Sequence, residues 1–198
     1  MKLWMAAVVI LATLGGCTGL AGQGRDPARD TAAYLAPDLR LDLPDPASIG
    51  RRIEAVQMVT AHHDGETVVF EAHLSIMPDR VLLVGVDATG QRLMTVTWRG
   101  SRINVERAPV LPPEVRPGAM LADIVTLYWP EQVVRQALQA SGAALSVTAE
   151  SRAVTLRGKP VLQANYRGGS AHPWQDGLHY RNLAWGYDID VTTLQVSE

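Results

Sequence analysis

The sequence predicts a mainly β domain of the α+β class: a strongly curved antiparallel sheet with helices packed against one face. Three observations carry that expectation. After residue 50, apolar residues alternate with polar ones over successive short runs; Gly, Pro and Asp turns separate the runs; and one central stretch changes to a helical period. With 198 residues, 47% of them hydrophobic and 19% charged, the chain can build one sizeable core and is not a disordered tail. A formal net charge of -2 gives no overall attraction to nucleic acid, and no such partner is expected.

Met1-Lys2 is a minimal positive start, and Leu3 to Leu14 is an apolar run too short for a membrane span of roughly 20 residues. Residues 1–16 therefore read as an export signal. Leu14-Gly15-Gly16-Cys17 resembles a bacterial lipobox, in which the cysteine accepts a diacylglyceryl group and becomes the anchored N-terminus after cleavage. Cys17 is the chain's single cysteine, so the mature protein has neither a disulfide nor a thiolate-rich zinc site. Several acyl chains hold stably, at about 0.8 kcal/mol for each buried CH₂. Thr18 follows the cysteine where Asp would resemble the enterobacterial inner-membrane retention signal. The expected location is the periplasmic face of the outer membrane.

Residues 17–50, rich in Gly, Pro, Asp and Arg, read as a tether and N-terminal segment, of which Tyr34, Leu35, Leu39, Leu41 and Leu43 can pack a short piece onto the domain. The domain itself is placed at residues 51–198. Its first half is a five-strand meander. Ile53 to Ala61 opens it, and Thr67 to Met77 puts Val68, Phe70, Ala72, Leu74 and Ile76 on one face. Arg80 to Asp87 is read with Leu82, Val84 and Val86 on one face and Val81 and Leu83 on the other. Arg92 to Arg99 carries Met94, Val96 and Trp98, and Arg102 to Arg107 ends the meander.

Pro109, Pro112, Pro113 and Pro117 mark a loop. A helix follows with Met120, Leu121, Ile124, Leu127 and Tyr128 in one stripe. Pro130 starts a second helix that Gly142 ends, with Val133, Val134, Ala137 and Leu138 apolar and Glu131 and Arg135 able to pair. Strands then return at Ala144 to Glu150, Ala153 to Leu156, Pro160 to Tyr166, Gly177 to Leu183 and Tyr187 to Leu194.

Catalytic and metal signals are sparse. His62 and His63 are adjacent before a Gly65 turn and would point to opposite sides of a strand. His73 shares a polar face with Glu71 and Ser75, and His172 sits in a Gly-rich loop. His179 has only Asp176 at ligand spacing. No G-x-S-x-G elbow, S-x-x-K, P-loop or G-x-G-x-x-G is present. The expectation is a protein that is not an enzyme and needs no metal or cofactor. Trp98, Trp129, Trp174 and Trp185, beside a single Phe, either fill the core or line a cavity for an acyl chain.

The order of elements resembles the LolA/LolB group of periplasmic lipoprotein carriers and receptors. The likeness runs through Thr67 to Ile76, Arg80-Val81-Leu82-Leu83-Val84, Gly90-Gln91-Arg92-Leu93, Leu127-Tyr128-Trp129-Pro130 and the closing Tyr166 to Val191 hairpin. It is similar, more closely, to a family of proteobacterial outer-membrane lipoproteins with a Leu-Tyr-Trp-Pro-like stretch. Some of these are encoded among aryl-polyene lipid biosynthesis genes, and the family has no established activity. The resemblance implies an incomplete barrel with helices over its concave face and an apolar hollow for acyl chains. LolB carries an apolar loop leucine where this chain has Asp87-Ala88-Thr89-Gly90, which favours a dedicated lipid carrier over a general lipoprotein receptor.

The expected ligand wall is Val68, Phe70, Leu74, Leu82, Val84, Met94, Val96 and Trp98 on the sheet, with Ile124, Leu127, Val133, Val134 and Leu138 on the helical lid. The expected partners are the membrane, an acyl lipid or lipidated protein, and a periplasmic carrier, with the chain itself a monomer. The competing expectation is an assembly or scaffolding lipoprotein with a closed core and a protein partner at its surface.

Overall fold

The computed structural model describes residues 33–112 and 114–198. The predicted signal segment, Cys17 and the first part of the tether lie outside the described residues. Two short strands, β1 (Tyr34–Ala36) and β2 (Leu39–Arg40), form a hairpin, and a 3-10 turn covers Pro46–Ile49. One meander follows: β3 (Ile53–His63), β4 (Glu66–Met77), β5 (Arg80–Val86), β6 (Arg92–Arg99) and β7 (Arg102–Arg107). Helices α1 (Pro117–Tyr128) and α2 (Glu131–Gln139) cross over to a second meander. It comprises β8 (Ala143–Val147), β9 (Ser151–Leu156), β10 (Lys159–Tyr166), β11 (Leu178–Asn182) and β12 (Tyr187–Ser197).

The meanders merge because β12 returns to pair with β3, giving a ten-stranded antiparallel sheet in the order β7-β6-β5-β4-β3-β12-β11-β10-β9-β8. It is curved and open, with β7 and β8 as free edges rather than a closed barrel. The mainly β, α+β expectation is borne out. Tight turns set the hairpin registers: Asp64 and Gly65 both have positive φ, as a two-residue type I′ turn requires, and they lock His63 opposite Glu66.

Period two decides which side chains face inward, with one correction. Along β5 the buried residues are Val81, Leu83 and Gly85, while Leu82, Val84 and Val86 are half-buried on the opposite face. The cause is cross-strand register, because directly opposed residues share a face. Leu83 stands between Leu74 and Val96, whereas Leu82 stands between Ser75 and Thr97, and Val84 between His73 and Thr95. Both β5 faces are apolar, so alternation alone left the choice open.

The concave side is filled mainly by α1 and by the segment from Ala33 to Ile49. Ten of the twelve α1 residues are buried, which makes it a core helix rather than an amphipathic lid. Its last carbonyls are satisfied by the sheet: Arg152 donates to Thr126 (3.0 Å) and Trp129 (2.7 Å), and the Tyr166 hydroxyl to Leu127 (2.7 Å). Leu35, Leu39 and Leu41 are fully buried, so the core reaches well before residue 51. On α2, Val134 and Leu138 are buried and the Glu131–Arg135 ion pair (2.6 Å) faces outward.

A candidate ligand hollow with a polar floor

Register divides the half-barrel into two ends. At one, the start of β3, the end of β4, the start of β5 and the end of β6 come together, and indoles fill the interior. Trp98 and Trp129 lie 5.9 Å apart, and each ring N–H finds an acceptor, Gly100 O at 2.7 Å and Ser48 Oγ at 3.1 Å. The packing continues through Tyr128, which stacks on Trp174 at 4.0 Å. Burial drives the Tyr128 and Tyr166 hydroxyls well above the ordinary phenol range.

The other end holds a hollow of about 130 Å³. Its walls are Val59 and Ala61 from β3, Val68 and Phe70 from β4, Leu93 and Met94 from β6, and Ile189 from β12. Helix α1 contributes Ala119, Met120 and Asp123, and the loop before it contributes Leu111, Pro112, Glu114, Val115 and Arg116. A bulge helps to open this end. Gly85 pairs with Met94 but Val86 with Arg92, so Leu93 is the extra residue, and it is buried beside Met94 instead of alternating outward. Gly85 leaves room for the wall: a Cβ there would stand 3.2 Å from Met94 Cε and 3.4 Å from Phe70.

Leu111, Pro112 and residues 114–116 roof the hollow and are held at both sides. The Arg107 guanidinium donates to the carbonyls of Leu111 (3.2 Å), Pro112 (2.7 Å) and Val115 (2.9 Å). Arg116 lies 4.2 Å from the centre of the Trp185 ring. Glu66 and Glu114 are exposed at the mouth, with His63 and Arg116 half-buried beside them.

The floor is polar. Asp123 is 1% exposed and accepts hydrogen bonds from the hydroxyls of Tyr187 and Tyr180 (3.2 Å for the latter) and from Asn182 Nδ2 (3.4 Å). The two phenol rings meet edge to face at 6.3 Å. Asn182 also donates to Leu35 O at 2.9 Å, tying the N-terminal hairpin to the same cluster. Removal from water pushes the Asp123 carboxyl up to about 7 although its three donors pull the other way. Burial likewise raises Tyr180 and Tyr187, and the adjacent carboxylate adds to the shift.

Of the expected wall, Val68, Phe70 and Met94 line this hollow. Leu74, Val96 and Trp98 are buried in the filled end, and Leu82 and Val84 border a groove on the other face of the sheet. From the expected lid, Leu127, Val134 and Leu138 are core residues and Ile124 and Val133 are half-buried against that core, so none of the five lines the hollow. The tryptophans divide too: Trp98, Trp129 and Trp174 are buried and Trp185 is half-buried at the roof. Sequence reasoning passed over Asp123 and the Tyr180–Tyr187 pair; an acidic residue inside an apolar helical run was the signal available.

His179 meets carboxylates from the neighbouring strand rather than Asp176. Its Nε2 lies 2.7 Å from Asp188, and the ligand atoms of His179, Asp188 and Asp190 are within 4.8 Å of one another. Arg167 already occupies Asp190 at 3.0 Å, so the group is half neutralised by a cation of the chain itself.

With sheet, helices and hollow described, the match of residues 54–195 to the family described as "Protein of unknown function (DUF3261)" spans the greater part of the chain. The chain belongs to the DUF3261 family. No curated protein matches it. Among solved structures, it is similar to a LolA superfamily protein from Nitrosomonas europaea, at 7% identity and a TM-score of 0.38, over 79% of this chain and 88% of that one. A DUF1329 family protein from Desulfovibrio piger aligns at 6% identity and a TM-score of 0.28, over 73% of this chain and 84% of that one. Every residue that lines the hollow falls inside the span matched to DUF3261.

Proposed function

We propose that this DUF3261 protein is a non-enzymatic binding protein that holds the apolar part of a lipid or lipidated partner in the hollow and hands it on. In this reading it is anchored through lipidated Cys17 on the periplasmic face of the outer membrane. The observation that carries the binding reading is the hollow itself, apolar in its walls and open at one end of an otherwise filled half-barrel. A cavity of about 150 Å³ accommodates benzene, so this one takes a segment of a single chain rather than several tails. Burying roughly five methylenes contributes about 4 kcal/mol, an affinity near millimolar that suits transfer rather than storage. The mouth lets the rest of a longer chain trail out.

Native mass spectrometry of the protein purified from cells tests the reading directly. A lipid adduct in the wild type offered excess lipid, lost in Ala119→Leu while the fold is kept, is the expected result. A wild type that carries no lipid, and binds none when offered it, instead favours the scaffolding alternative, to which the solid packing around Trp98 and Trp129 already lends support. The anchor has its own test. Radiolabelled palmitate should enter the wild type and be absent from Cys17→Ser.

A further inference from the structure

The floor of the hollow is chemically unlike its walls. Asp123 is the sole buried carboxylate among the described residues, and its hydrogen-bond partners, Tyr187, Tyr180 and Asn182, are all neutral. Buried charges are ordinarily paired with a cation. The other buried charge, Arg152, is turned to the carbonyls of Thr126 and Trp129, and Arg116 is stacked on Trp185.

An ionised carboxylate offers about four acceptor sites. Both tyrosine hydroxyls fall on Oδ2 and Asn182 on Oδ1, so Oδ1 retains a lone pair on a residue that lines the void. Tying α1 to β11 and β12 accounts for the three bonds present, but it does not require the carboxylate to border a hollow. The mouth adds no attraction for an anionic head group, since Glu66 and Glu114 stand there against one permanent cation, Arg116, whose guanidinium is stacked on Trp185, with His63 beside them.

We infer that the hollow takes a neutral amphiphile head-first, with a hydroxyl donating to Asp123 and the apolar chain lying between Phe70, Met94 and Leu111. This deepens the binding reading above and rests on it. A fatty-acid carboxylate would meet like charge at the floor, whereas an alcohol supplies the donor that the floor lacks.

The test compares octan-1-ol with its isomer methyl heptyl ether, which keeps the size and loses the donor, and with octanoate, each titrated calorimetrically into the purified chain at about pH 8.5, where the Asp123 carboxyl is ionised. The wild type should bind the alcohol at least about tenfold more tightly than the ether, and octanoate more weakly than either. In Asp123→Asn, with folding checked by thermal unfolding, the preference for the alcohol over the ether should shrink at least several-fold, because the remaining carbonyl is drawn to the two tyrosine hydroxyls and the amide N–H₂ takes the place of Oδ1. Equal binding of alcohol and ether by the wild type would overturn the head-first inference and leave the apolar hollow standing. Failure of the wild type to bind all three would overturn the binding reading as well. If Asp123→Asn does not fold, the wild-type comparison alone decides.

Discussion

Around Trp98 the sheet encloses indole against indole, while around Met94, on the same strand and the same face, it encloses a void. The bulge at Leu93 loosens the ladder at the open end, and the rest of the difference lies in what the connecting segments bring inside. At the filled end the 3-10 turn and the C-terminus of α1 deliver Ile49, Ser48 and Trp129, and the hydroxyl and ring N–H groups satisfy one another. At the open end the first two turns of α1 deliver Ala119, a small residue, and Asp123, a short one. One sheet thus supplies stability at one end and capacity at the other.

Truncation should separate the ends most strongly. Trp98→Ala is expected to cost about 3–5 kcal/mol, because it removes a fully buried indole from a site that cannot collapse. Met94→Ala borders existing space and should fall near the lower bound for its class, about 2 kcal/mol. Urea unfolding of the two variants measures the difference, and equal losses would mean that the open end is as tightly packed as the other.

Asp123 gives the open end a pH dependence of its own. Asp123 titrates near 7 when folded and near 3.8 when unfolded, so between those values the folded state holds a proton that the unfolded state has released. Stability therefore falls as pH rises from about 4 to 7, by roughly 4 kcal/mol in total, and Asp123 leaves it unchanged outside that window. Asp123→Asn should remove the slope, as measured by unfolding midpoints across that range. Asp87, held below its usual range by bonds from Thr89 and Gln91, acts in the opposite sense, losing stability only as pH falls below about 4.

How much of this was legible follows from what each signal encodes. Strand and helix order could be read because period two and period 3.6 are properties of adjacent residues, and Phe70, Met94 and Trp98 were placed inward correctly for that reason. The face of β5 was not legible from β5, since Leu82 and Leu83 are equally apolar; it lay in the neighbours, where Ser75 and Thr97 mark the outward side. Whether Leu74 and Val96 line a hollow or a solid core depends on which segment arrives from elsewhere, and no local pattern states that. Asp123 was overlooked because its partners, Tyr180, Asn182 and Tyr187, lie more than fifty residues away in sequence.

Adding volume sharpens the contrast with smaller energies. Leu83→Trp has no space to occupy beside Leu74 and Val96 and should cost about 1–3 kcal/mol through overpacking. Ala119→Leu projects into the hollow and should change stability by less than about 1 kcal/mol while abolishing lipid uptake. Thermal unfolding paired with native mass spectrometry reads both effects; a large destabilisation by Ala119→Leu would mean that the void is too tight to admit a chain.

The smallest energetic effect belongs to the roof. Arg116 spans from the loop over the hollow to Trp185 in the turn between β11 and β12, and its cation–π contact at a half-buried position contributes about 0.5–1 kcal/mol. Arg116→Ala should therefore barely move the unfolding midpoint. Its consequence for exchange is larger in kind, because the loop would then be held from the Arg107 side alone. NMR line-shape analysis of octan-1-ol exchange should show faster release with nearly unchanged stability, and Arg116→Lys, which keeps the charge but loses the planar stacking face, should fall between. Unchanged release in both variants would show that the chain exchanges through the mouth without movement of the roof, and would place the control of residence time on the walls and floor.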